Sequence, residues 1–99
     1  MPTYVLMTKL DPTVLQDPRG RRIVGAEWRK LVRKLCPEVK WLAHYALLGQ
    51  YDFMDIYEAP DGETAAKVAM ITQAQGAVSA ETLAAIPYPR FLELMDEIA

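Results

Sequence analysis

The spacing of apolar residues changes repeatedly along the chain, and each change marks a new element. Thr3 to Lys9 (TYVLMTK) is a near-continuous apolar, aromatic and β-branched run, which predicts a strand buried on both faces. Leu10 to Gln16 leaves that strand as a loop, with Asp11-Pro12 as the breaker. A helical period then takes over. Val24, Trp28, Leu31 and Leu35 recur at spacings of four, three and four, with Val32 beside them. Asp17-Pro18 supplies an N-cap and a first-turn proline, and Cys36-Pro37 ends the helix after about Leu35. Gly20 and Gly25 each weaken the early turns by up to about 1 kcal/mol, which allows a start as late as Gly20.

Val39 to Leu48 and Tyr51 to Glu58 read as two strands joined by Gly49-Gln50, where a leading glycine suits a type II′ hairpin turn. Ala59-Pro60-Asp61 stops the second strand, and Asp61 caps a helix over Gly62 to Gln75. Ala65, Val68, Ala69 and Thr72 line its inner side, and Gly76 closes it. Val78 to Ile86 is an alanine-rich strand, broken by Pro87 and Pro89. A short helix follows, with Phe91, Leu94, Met95 and Ile98 on one side.

This order, β-α-β-β-α-β plus a C-terminal helix, predicts one α+β domain over residues 1–99 with a ferredoxin-like fold. Its four-stranded antiparallel sheet carries both long helices on one face and leaves the other open. A turn at Gly49-Gln50 opposes Leu48 to Tyr51, Ala46 to Phe53, His44 to Asp55 and Leu42 to Tyr57. A four-residue loop keeps that register, and a three-residue loop breaks it. The alternate set holds Ala43, Leu47, Met54 and Ile56 and is the better helix-packing face. Leu42, His44, Phe53, Asp55 and Tyr57 are therefore expected on the open face.

Composition adds a demand for a partner. The chain has 99 residues, of which 52% are hydrophobic, and so short a domain buries only a modest core. The surplus points to a homo-oligomer, a dimer or larger, although ordinary surfaces also carry apolar area. A single cysteine, Cys36, excludes an internal disulfide and fits a cytoplasmic protein. No run approaches the roughly 20 apolar residues of a membrane helix, and no signal peptide precedes the first strand. The net charge of −2 is unevenly spread: residues 19–40 carry +6 and residues 41–99 carry −7. The basic stretch reads as a solvated helix face. Binding of an anion or a nucleic acid is the weaker reading, because the run of interleaved aromatics that stacks bases is missing.

The sharpest chemical constellation is His44 opposite Asp55. A carboxylate beside an imidazole favours the charged ring and fixes its tautomer, as a general base requires. Tyr51 or Tyr57 could add a hydroxyl donor, and Leu42 and Phe53 complete a candidate ligand surface. The competing reading is a cross-strand pair satisfied within an oligomer interface. Asp52, beside the turn, is expected to accept backbone hydrogen bonds. Cys36 sits at a helix C-terminus, where the helix dipole disfavours a thiolate. One His, one Cys and scattered acids give no metal-ligand spacing, so no metal or other cofactor is expected. Gly20 to Gly25 has the gap of a phosphate loop, but Ala26-Glu27 replaces the Lys-Ser/Thr pair.

The run Leu48-Gly49-Gln50-Tyr51-Asp52, followed by Met54, Ile56, Glu58, Ala59 and Pro60, resembles the signature of the GYD domain family. Pro2-Thr3-Tyr4-Val5 and Glu81-Thr82-Leu83 are similar to the family's ends. Gly49, Tyr51 and Asp52 fall on the namesake positions, whereas Cys36-Pro37 stands where a glycine-rich helix end is expected. The resemblance implies a ferredoxin-like domain of the dimeric α/β-barrel kind and no settled activity, so it assigns no catalytic roles. The expected function is a module binding a small molecule or a protein on the open sheet face. The alternative is a cofactor-independent acid–base or monooxygenase-like enzyme using His44 and Asp55, by analogy with other dimeric α/β barrels.

Overall fold

The computed structural model describes residues 1–99 apart from the side chain of Leu15. The elements run β1 (Thr3–Leu10), α1 (Pro12–Leu15), α2 (Pro18–Leu35), β2 (Lys40–Ala46), β3 (Phe53–Glu58), α3 (Gly62–Ala74), β4 (Ala77–Ala85) and α4 (Tyr88–Ile98). The four strands form one antiparallel sheet in the order β2-β3-β1-β4, which is the expected ferredoxin-like arrangement. Among the described residues, no helix is long and apolar enough to cross a membrane.

Local chemistry explains most of the element ends. The Asp17 carboxylate accepts from the Arg19 N–H, and Pro18 opens α2 without losing an intrahelical bond. The early glycines therefore do not delay its start. Arg33 and Lys34 occupy the last turn, where cations complement the helix dipole. Asp61 caps α3 by accepting from both the N–H and the hydroxyl of Thr64, at 2.9 and 2.8 Å. Gly76 follows α3 with φ of +101°, a conformation that favours glycine. Its carbonyl then accepts from the Asp11 N–H at 2.9 Å. The stretch expected as a loop after β1 contains the short helix α1, because Asp11-Pro12 acts as cap and first-turn proline rather than as a simple breaker.

The β2–β3 hairpin differs from expectation in two ways. Its loop is Leu48 to Tyr51, four residues rather than two, closed by a 2.9 Å bond from the Leu47 N–H to the Asp52 carbonyl. Gly49 takes φ of +136° within it. The register over Ala43 to Ala46 is unchanged, with His44 opposite Asp55. Beyond it the ladder slips: Trp41, not Leu42, opposes Tyr57, and Leu42 occupies the irregularity.

The two faces are the reverse of those expected. Leu42, His44, Phe53, Asp55 and Tyr57 do not form an open face. His44, Phe53, Asp55 and Tyr57 look toward the helices with Leu6 and Thr8, while Leu42 is exposed at the slip. The reason is volume. Tyr57 and Leu6 are fully buried beneath Ala65 and Val68 of α3, and Trp28 of α2 packs on Trp41 with ring centroids 5.4 Å apart. Large rings bridge from the sheet to α2 at Trp28, a span the smaller Ala43–Met54–Ile56 set could not reach. That set joins Val5, Met7, Tyr45 and Leu83 on the far face, where Tyr45 is 55% exposed. α4 lies outside the core, with no buried residue.

Candidate functional site

α2 and α3 approach the sheet differently. α3 offers Ala65, Val68 and Thr72 and lies close to it. α2 stands on the Trp28 ring, whose Nε1–H donates to Thr72 Oγ1 at 2.9 Å. The Thr72 hydroxyl in turn donates to the Val68 carbonyl at 2.7 Å, so the indole is held against α3 by a satisfied chain. The space left between α2 and the sheet is a cavity of about 590 Å³, within the usual range of small-ligand sites.

His44, Phe53 and Asp55 enter its wall from the hairpin, and Trp28, Arg21, Arg22 and Arg29 enter from α2. The rings form a ladder. Trp28 stacks on His44 at 6.0 Å between centroids, and His44 stacks on Phe53 at 5.5 Å. The Arg21 guanidinium lies over the Phe53 ring at 5.4 Å. Thr8, Leu10, Thr72 and Gln75 complete the lining toward α3. A smaller cavity of about 200 Å³ meets the same Trp28, Arg29, His44 and Asp55 and extends to Arg33 and Trp41.

The His44 Nδ1 atom contacts Asp55 Oδ1, so the pair expected from the register is formed. Asp55 is only 2% exposed, while the His44 side chain is 43% exposed. Burial pushes the Asp55 carboxyl above the usual carboxylate range, against opposing pulls from His44 and Arg29. The arrangement can orient an imidazole at a cavity wall and can hold or pass a proton there.

The other candidate ligand residues separate. Tyr57 belongs to the core, stacked on Trp41 and Tyr4, and its buried hydroxyl finds no hydrogen-bond partner among the described residues. Burial drives its phenol pKa well upward. The Tyr51 hydroxyl donates to Glu81 Oε2 at 2.6 Å, and that bond to the carboxylate raises its pKa. Leu42 touches neither cavity. Asp52 accepts a backbone hydrogen bond as expected, but its partner is the Leu10 N–H of β1, at 2.7 Å from Oδ2, rather than a donor of the turn or Tyr51. Cys36 is buried and free, and burial raises its thiol pKa. Among the described residues, no group of three or more His, Cys, Asp or Glu side chains converges as a metal-ligand set.

Sequence reasoning missed the contribution of α2. Its signal was present: Arg21, Arg22, Gly25, Trp28 and Arg29 fall on one helical face, inside the basic stretch read first as a solvated surface and only second as an anion or nucleic-acid site.

The GYD domain profile matches residues 4–95. The chain belongs to the GYD domain family. A Thermus thermophilus protein named glutamine synthetase and cystathionine beta-lyase binding protein is 32% identical over 91 residues, covering 88% of this chain and 90% of that relative. Among solved structures, TTHA0845, also from Thermus thermophilus, superposes with a TM-score of 0.59 at 21% identity, covering 88% of this chain and 95% of that one. MtbAldR superposes with a TM-score of 0.61 at 17% identity over 87% of this chain, which spans about half (53%) of that protein. These likenesses establish the fold of this GYD domain: a ferredoxin-like sheet with helices on one face.

Proposed function

We propose that this GYD domain is a homo-oligomeric binding module that pairs with a second copy through α4 and engages other proteins through the open sheet face. The observation that carries this reading is α4 itself. Tyr88, Phe91, Leu92, Met95 and Ile98 form an apolar stripe that the protomer leaves exposed, while Arg90 pairs with Glu93 and Glu97. The far sheet face offers further apolar area at Tyr45 and Leu83. The name of the Thermus relative supports protein partners. Cys36, free and buried, accords with a cytoplasmic setting. The test is titration of the purified chain against Thermus thermophilus glutamine synthetase by isothermal calorimetry. Saturable binding supports the reading. Binding that is undiminished in both the Phe91→Ser and the Tyr45→Ser variants removes these two surfaces from it.

A second reading rests on His44 and Asp55 at a cavity wall. An oriented imidazole beside a buried carboxyl suits cofactor-independent proton abstraction next to a carbonyl. Deuterium exchange into the methyl group of pyruvate, followed by proton NMR, tests it. Exchange that His44→Ala abolishes supports acid–base work. Exchange no faster than in buffer speaks against it.

A further inference from the structure

The cavity under α2 is chemically lopsided. Three arginines, Arg21, Arg22 and Arg29, line it, and among the described residues none of them forms an ion pair. Its one acid, Asp55, is buried and already engaged by His44. Apart from Asp55, which His44 engages and Arg29 acts on, no carboxylate in the lining answers that positive charge.

Three flat rings share the rest of the wall with small and aliphatic side chains such as Thr8, Leu10 and Val24. The parallel planes of Trp28, His44 and Phe53 present edges and faces suited to another ring, with interplanar angles of 20° and 16° along the ladder. Arg21 already lies over Phe53, which places a guanidinium at the end of that ladder. Guanidinium groups match carboxylate oxygens in geometry and stay charged at any working pH.

We propose that this cavity binds a small aromatic carboxylic acid, its ring against the Trp28–His44–Phe53 ladder and its carboxylate on Arg21 at the Phe53 end, with Arg22 beside it. A cavity of about 590 Å³ accommodates a bicyclic ring acid. This extends the cavity reading above by naming the ligand class. It asks only for binding, so failure of the proton-exchange assay leaves it standing, and it needs no protein partner.

The probes are 2-naphthoate and its uncharged counterpart 2-naphthamide, added to the full chain and followed by calorimetry and by ¹H–¹⁵N NMR. The expected result is at least tenfold tighter binding of the acid, with the largest shifts at the Trp28 indole N–H and the Gly25 and Phe53 amides. Arg21→Gln with Arg22→Gln should reduce the acid to the affinity of the amide while the melting temperature holds. Both arginines can be exchanged without opening the core, which is built from Leu6, Tyr57, Ala65 and Val68. Equal affinity for acid and amide overturns the proposal. So do shifts confined to the far sheet face, absence of binding by either probe at millimolar concentration, or full retention of the acid's advantage in the double variant.

Discussion

Asp55 is where burial and charge oppose each other most sharply. The residue is 2% exposed, and desolvation raises its carboxyl pKa from the ordinary 3.8 despite the nearby His44 and Arg29. The sign of the consequence is fixed by linkage. A native state that holds the proton more tightly than the unfolded chain is favoured at low pH and loses that advantage as pH rises through the native pKa. Asp55→Asn removes the titration. As pH rises past the ordinary aspartate value of 3.8, the unmodified chain should lose stability relative to the variant. Urea midpoints measured for both proteins at each pH check this, and a gap that widens in favour of the unmodified chain would refute it. Asp52 argues in the other direction. Its carboxylate satisfies the Leu10 N–H at 2.7 Å, a bond joining the hairpin loop to β1. Asp52→Ala leaves that donor without its acceptor, at a cost of about 1–3 kcal/mol. A melting curve that does not move would exclude the role. Asp52 was legible from its place beside the turn, and so was the His44–Asp55 pairing. What could not be read was that two polar side chains would face the core: each looks unfit for burial alone, and only their mutual contact and the surrounding rings make the placement tolerable.

At the scale of the element, caps proved more informative than breakers. Asp17-Pro18, Asp61 and Gly76 mark helix ends where the chain turns. The same Asp-Pro logic at Asp11-Pro12 opens α1, a helix the apolar period is too short to announce. The slip at Leu42 has no such marker, since neither Gly nor Pro stands there. Its consequence is large, because it turns Trp41 onto the helix-facing side beside Tyr57. Two glycines with different surroundings test how far local geometry governs these elements. Gly76 has φ of +101°, and an added Cβ would lie 3.3 Å from Val14 Cγ2. Gly76→Ala should therefore cost about 1–3 kcal/mol. Gly25 lies inside α2, and an added Cβ would meet nothing within 4 Å. Gly25→Ala should gain about 0.5–1 kcal/mol from helix propensity. Thermal melts of the two variants should move in opposite directions, and a shift of the same sign in both would show that something other than backbone conformation controls these sites.

For the whole molecule, the separation of surfaces matters more than any one contact. One side of the sheet is covered by α2 and α3 and encloses the aromatic cavity; the other is apolar and uncovered. α4 projects no side chain into the protomer's own core, and the molecule is drawn out to 52 × 30 × 18 Å. A helix of 11 residues is marginal in water on its own and takes its stability from packing of an apolar face. The protomer does not supply that packing to Phe91, Leu92 or Met95. A second copy of the chain would, and the surplus of apolar residues in so short a sequence points the same way. Phe91→Ser combined with Met95→Ser should accordingly leave the sheet's circular dichroism in place while lowering the molar mass measured by light scattering toward the 11.2 kDa of a single chain. Substitutions at two exposed positions of a monomer change stability by no more than a few tenths of a kcal/mol each, whereas removing interface anchors costs association directly. If the native chain is already monomeric, or if the double variant keeps its oligomeric mass, α4 is not the contact between copies, and its apolar stripe must then be assigned to a different protein.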